Sequence, residues 1–116
     1  MKSGRIILAF AYLRLSREEL QGGESGSITN QRMIISNYCR QNGITLVREF
    51  ADDGWSGGNF DRPAFQEMMR MIEQGEANCV IVKDLSRLGR EYIETGRYMR
   101  RVFPAYGVRF IAINDN

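Results

Sequence analysis

Four short apolar runs, at 6–13, 44–51, 78–83 and 108–114, alternate along the chain with longer stretches whose apolar residues recur every three or four positions. The first pattern is that of strands covered on both faces, the second that of amphipathic helices. Ser27 is placed to cap a helix running to about Asn42, with Gly43 as its stop, and Ile28, Ile35 and Tyr38 form its apolar stripe. Gln31 falls within that stripe, so its amide needs a partner, either a nearby backbone group or a site. Asp61 is expected to cap a second helix, with Pro63 in its first turn and Phe65, Met68, Met69 and Ile72 buried before Gly75. A third helix is expected to end near Ala105, with Tyr92, Gly96, Met99 and Phe103 inward; Pro104 weakens its last turn and Gly107 ends it. Strands alternating with helices predict an α/β fold: three layers, with a mostly parallel central sheet and helices on both faces.

Composition narrows the class. The 116 residues fit one domain, with a 43% apolar and 26% charged make-up typical of a globular protein. A net charge of +2 says little about partners, but six of the sixteen basic residues lie between Lys83 and Arg101, which marks that segment as anion-facing. Histidine is absent, removing serine-histidine triads and imidazole acid-base chemistry. Cys39 and Cys79 each sit in an apolar run and read as core thiols of a reducing cytosol. The N-terminal run lacks a signal-peptide cleavage pattern, and no segment approaches the ~20 apolar residues that span a bilayer, so a cytoplasmic location without a membrane partner is expected.

Candidate chemistry collects where strands end. The first strand runs out into Arg14 and Ser16, which share a face by the two-residue period, at the edge where open α/β sheets bind ligands. The polar, glycine-bearing segment 17–26 is expected to form a mobile loop beside the serine. The second strand leads into Asp52-Asp53-Gly54-Trp55-Ser56-Gly57, open to turn, acid-base or metal roles. Arg62 opposes a helix dipole, and either serves an anion or pairs with Glu67 or Asp61. Arg87 and Arg90 are three apart, and on one helical face they would hold two oxygens of one phosphate. Arginines around a serine, without a metal ligand set or a nucleotide-binding fingerprint, suit phosphoryl transfer by electrostatic stabilisation.

Together these motifs resemble the catalytic domain of the serine recombinases, the resolvase/invertase superfamily, over nearly the whole chain. Tyr12-Leu13-Arg14-Leu15-Ser16 is similar to the nucleophile motif, and 28–31 to the first-helix glutamine segment. Asp53-Gly54-Trp55-Ser56-Gly57 with Asp61-Arg62-Pro63 is similar to the second-strand loop and the helix after it. Leu85-Ser86-Arg87-Leu88-Gly89-Arg90 is the most distinctive signature. The 17–26 loop and Asp61-Arg62-Pro63 resemble the large serine recombinases of integrative elements, whereas smaller resolvases carry aspartate where this chain has Ser86.

The resemblance implies a resolvase-like fold, related to flavodoxin and Rossmann sheets. It also implies site-specific recombination of double-stranded DNA through a 5′-phosphoseryl link on Ser16 and a free 3′-hydroxyl. Arg14, Arg87 and Arg90 would bind the scissile phosphate with help from Arg62, while Gln31, Asp53 and Ser56 order the pocket. No metal or other cofactor is expected, and a homodimer would assemble into a tetramer. A long helix and DNA-binding domains would follow in the longer protein, so the isolated domain is expected to bind DNA weakly and recombine little. The base that deprotonates Ser16 stays open among Asp53, water and a substrate oxygen. Two other readings of the residues are a phosphate- or nucleotide-binding regulatory module, in which Ser16 only donates a hydrogen bond, and a degenerate recombinase-like domain kept for protein contacts.

Overall fold

β1 (Leu8–Leu15) lies inside a four-stranded parallel sheet of order β2-β1-β3-β4, with β2 at Thr45–Asp53, β3 at Cys79–Val82 and β4 at Arg109–Ala112. The computed structural model describes residues 6–17 and 27–115. The expected loop over 17–26 falls, apart from Arg17, outside the described residues.

The apolar runs alternate across the sheet as a two-residue period requires. Ala9, Ala11 and Leu13 of β1, with Cys79 and Ile81 of β3, meet Ile35 and Cys39 of α1 (Ile28–Gln41) on one face. Phe10, Tyr12, Val80 and Val82 meet the other face, where α2 (Pro63–Glu73) contributes Phe65, Met68, Met69 and Ile72. The three-layer expectation therefore holds, as does the stripe read for α2.

β1 and β2 each run two residues further than the apolar pattern indicated, pairing Arg14 with Asp52 and Leu15 with Asp53. Backbone pairing can carry polar residues along when a neighbouring strand and buried partners satisfy them. α1 is capped as expected, the Ser27 hydroxyl accepting from the Asn30 amide at 3.0 Å. Asp61, by contrast, is exposed and does not cap α2. Asp52 does so from the adjacent strand, accepting from the Ala64 and Phe65 amides at 2.9 and 3.0 Å.

After β3 the chain makes one short helix, α3 (Leu85–Leu88), and then α4 (Tyr92–Arg97), a π-helical segment (Tyr98–Val102) and α5 (Phe103–Ala105) in succession. Pro104 has no amide to offer the preceding turn and its ring crowds the carbonyl four residues back. The wider turn, in which the Phe103 amide donates to the Tyr98 carbonyl, accommodates it. Gly96 and Phe103 face inward as expected, but Tyr92 is 81% exposed at the first turn.

Candidate active site

The C-terminal ends of β1, β2 and β3 bring the site together. Past Ala11, β1 has no paired neighbour on its β3 side, and Gln31 of α1 fills that gap. Its amide oxygen accepts from the Arg14 backbone N–H at 3.2 Å, and its NH2 donates to the Arg14 carbonyl at 2.9 Å. Gln31 thus acts as a substitute strand partner, which accounts for a fully buried amide on an apolar stripe. On the other side of β1 the Leu15 carbonyl accepts from the amides of Gly54 and Trp55. Gly54 turns the chain there at φ +86°, a conformation that side chains disfavour.

Arg14 does not emerge from the sheet. It is 0% exposed, and its guanidinium donates to the carbonyls of Arg87 (Nε, 3.2 Å), Trp55 (Nη1, 2.9 Å) and Ser86 (Nη2, 2.6 Å). One side chain therefore ties the loop after β2 to the turn after β3. Gly57 permits this approach: a Cβ there would lie 2.6 Å from Arg14 Nη2 and 3.1 Å from Arg90 Cγ. Burial first, and then the positive charges of Arg62, Arg90 and Arg87, push the Arg14 pKa down to about 10, so it is charged at neutral pH.

Arg62 is also buried, at 1% exposed, and pairs with neither Glu67 nor Asp61. It donates to the carbonyls of Asn59 at 2.9 Å and Leu88 at 2.6 Å and to the Tyr12 hydroxyl at 2.9 Å. The Phe60, Phe65 and Tyr12 rings stand 4.4, 5.2 and 5.5 Å from its guanidinium carbon, a cation-π cage for a desolvated charge. The Tyr12 hydroxyl donates in turn to Asp52 Oδ2 at 2.7 Å. Burial raises the Tyr12 pKa far above its usual value, keeping the phenol protonated as that donor.

Arg87 and Arg90 do not share a helical face, because α3 ends at Leu88 and Gly89 continues in extended backbone. Arg87 is buried and donates to the Arg14 carbonyl at 3.1 Å. Arg90 is exposed, its amide held by the Gly57 carbonyl at 2.7 Å. Beside Arg87, Asp84 accepts from the Ser86 hydroxyl at 2.5 Å and lies 3.8 Å from Arg87 Nε.

Ser16 is 3% exposed at the end of β1 and lines a depression with Arg17, Gly54, Trp55 and Ser56. The Ser56 hydroxyl accepts from the Gly58 amide at 2.9 Å. Asp53 points to the exposed side of β2 and makes no hydrogen bond or ion pair with a described residue, so it is not joined to the arginine network. Among the described residues no three histidine, cysteine or carboxylate side chains are grouped to hold a metal ion. Sequence reasoning named Tyr12, Asp52 and Gly57 only within longer motifs, and Arg17 only as the start of a loop, without giving any of them its own role. For Asp52 a signal existed in the strand alternation, had β2 been extended through the aspartates.

In all, the fold joins Arg14, Gln31, Arg62 and Arg87 in one buried network, sets Arg90 against it, and places Ser16 and Ser56 in one depression. Such an array combines a hydroxyl with concentrated positive charge, suited to an anionic, phosphate-bearing substrate.

Known proteins carry the same fold. The family model described as "Resolvase, N terminal domain" matches residues 9–116. The N-terminal catalytic domain of TP901-1 integrase superposes with a TM-score of 0.83 at 29% identity, covering 93% of this chain and 78% of that one. A resolvase family site-specific recombinase from Streptococcus pneumoniae superposes with a TM-score of 0.74 at 28% identity, covering 94% of this chain and 73% of that one. Over 64 residues the chain is 38% identical to the uncharacterized immunity region protein 3 of Bacillus phage phi105, which spans 55% of this chain and 77% of the phage protein.

Proposed function

The chain belongs to the resolvase N-terminal domain family and is a serine recombinase catalytic domain, an enzyme type of site-specific recombination; from that premise we propose that Ser16 is the nucleophile that breaks and rejoins DNA strands. In the forward step Ser16 Oγ attacks the phosphorus of a phosphodiester. The P–O3′ bond breaks, the Oγ proton is lost, and the departing 3′ oxygen takes up a proton to become a free hydroxyl. In the reverse step a 3′-hydroxyl attacks the phosphoserine and returns Ser16. The phosphorus keeps an ester bond throughout, so rejoining needs no added energy source.

The observation that carries this reading is the position of Ser16, at the end of β1 and two residues past an arginine tied to the Arg87 turn. Charge building on the non-bridging oxygens in the transition state is met by Arg90 at the surface, with Arg87 behind it. Arg14 and Arg62, whose donors face carbonyls, act mainly by holding the loops and by raising the local potential. Gln31 fixes the strand that carries Ser16, Ser56 orders the far wall of the depression, and Asp84 orients Ser86 and Arg87. Asp53, exposed and apart from the network, is a weaker candidate for the base than water or a substrate oxygen.

Family likeness supports double-stranded DNA as the partner and a dimer that assembles into a tetramer. In that reading the domain works within a longer protein, and alone it binds DNA weakly and without site preference. The test is mass spectrometry of the recombinase trapped on nicked target DNA. A nucleotide adduct on the peptide bearing Ser16, abolished by Ser16→Ala, is expected; an adduct on any other residue, or strand exchange surviving Ser16→Ala, overturns the assignment.

A further inference from the structure

The indole of Trp55 has no role in the chemistry above, yet it lines the same depression as Ser16. The core aromatics pair with one another, as in Tyr12 with Phe65, Phe60 with Tyr98 and Phe103 with Phe110, and Trp55 is in none of these pairs. It remains 42% exposed. Its backbone, by contrast, is pinned on both sides. The Trp55 amide donates to the Leu15 carbonyl at 3.1 Å, its carbonyl accepts from Arg14 Nη1 at 2.9 Å, and the preceding Gly54 holds a turn at φ +86°. A large flat ring is thus presented to solvent from a fixed backbone, one residue along the β1 hydrogen-bond ladder from the nucleophile. A fixed platform binds with less ordering cost than a mobile one.

A bare phosphate makes no use of such a ring; the neighbouring arginines already answer its charge. A nucleotide does, because every base has a π-face and every deoxyribose an apolar edge. We propose that Trp55 packs against the nucleotide flanking the scissile phosphate and positions that phosphate over Ser16. The role is one of positioning, and it rests on the reading that Ser16 attacks DNA.

The chain contains a single tryptophan, so its emission reports this residue alone. The protein carrying Ser16→Ala, which binds without reacting, is titrated at low salt with a dye-labelled, nicked DNA duplex of mixed sequence, and separately with inorganic polyphosphate. Duplex binding, followed by the anisotropy of the dye, is expected to quench the Trp55 emission, while polyphosphate competes for the protein and leaves the emission unchanged. Trp55→Ala is expected to weaken duplex binding about tenfold and Trp55→Phe, which keeps a flat ring, only about two- to threefold. Neither substitution is expected to alter polyphosphate binding, which separates a lost platform from a disturbed fold. Duplex binding with unchanged emission, or equal affinity in Trp55→Ala, overturns the proposal and leaves the Ser16 adduct as the separate test of the DNA reaction. Absence of duplex binding even at low salt, where phosphate contacts are strongest, also overturns the proposal, while the Ser16 adduct remains the separate test of the DNA reaction.

Discussion

Asp52 and Asp53 are adjacent in β2, and the pleat sends their side chains to opposite faces. Asp52 goes inward, where one carboxylate caps α2 through two amides and accepts from the Tyr12 hydroxyl. Asp53 goes to solvent. Replacing Asp52 with alanine removes the cap and leaves a buried phenol without its acceptor. The expected loss is about 3 kcal/mol by urea denaturation. Asp53→Ala is expected to change stability by less than about 0.5 kcal/mol. Equal effects would mean that the buried carboxylate is not what anchors α2. At this scale the sequence was legible in kind but not in role. Residue types and spacings, together with the family resemblance, pointed to Arg14, Ser16, Gln31, Asp53, Ser56, Arg62, Arg87 and Arg90, yet whether an arginine faces phosphate or carbonyl depends on loops that meet only in three dimensions.

The elements themselves were largely readable. Period-two and period-three-to-four patterns located every strand and the stripes of α1 and α2, because burial imposes those periods directly on sequence. The pattern failed at ends. Polar residues extend β1 and β2 because Gln31, Asp52 and the Leu15 carbonyl offer partners from elsewhere. It also failed in the last helical segment, where Tyr92 is exposed and Thr95 is buried instead. Among the described residues the Thr95 hydroxyl has no hydrogen-bond partner. Thr95→Val keeps the shape and removes that desolvated group, so a gain of about 1 kcal/mol is expected in thermal or urea unfolding. A loss of stability would show that the hydroxyl is satisfied after all.

Across the whole molecule, the fold gathers positive charge at one edge of the sheet and tolerates a repulsion that adds to burial in lowering the Arg14 pKa. An anion bound there relieves that repulsion and stabilises the native state by mass action. Sulfate at about five times its Kd is expected to add about 1 kcal/mol. Sulfate also strengthens apolar burial generally, so the measurement is the difference in Tm shift between the unaltered protein and Arg90→Ala, at ionic strength matched with chloride. A smaller shift in Arg90→Ala is expected; equal shifts would place the anion elsewhere. Among the described residues no helix is long and apolar enough to cross a membrane.

Local patterning by itself determined the layered α/β architecture and the order of strands and helices along the chain, and its short motifs marked the candidate site residues, since each is written in residue periods and short motifs. Tertiary structure alone decided which arginines are buried as clamps and which is presented, that Asp52 rather than Asp61 caps α2, and that Trp55 stands beside Ser16. Those outcomes rest on hydrogen bonds between segments tens of residues apart. No local pattern encodes them, because the partner of each buried polar group is chosen by the packing of the whole chain.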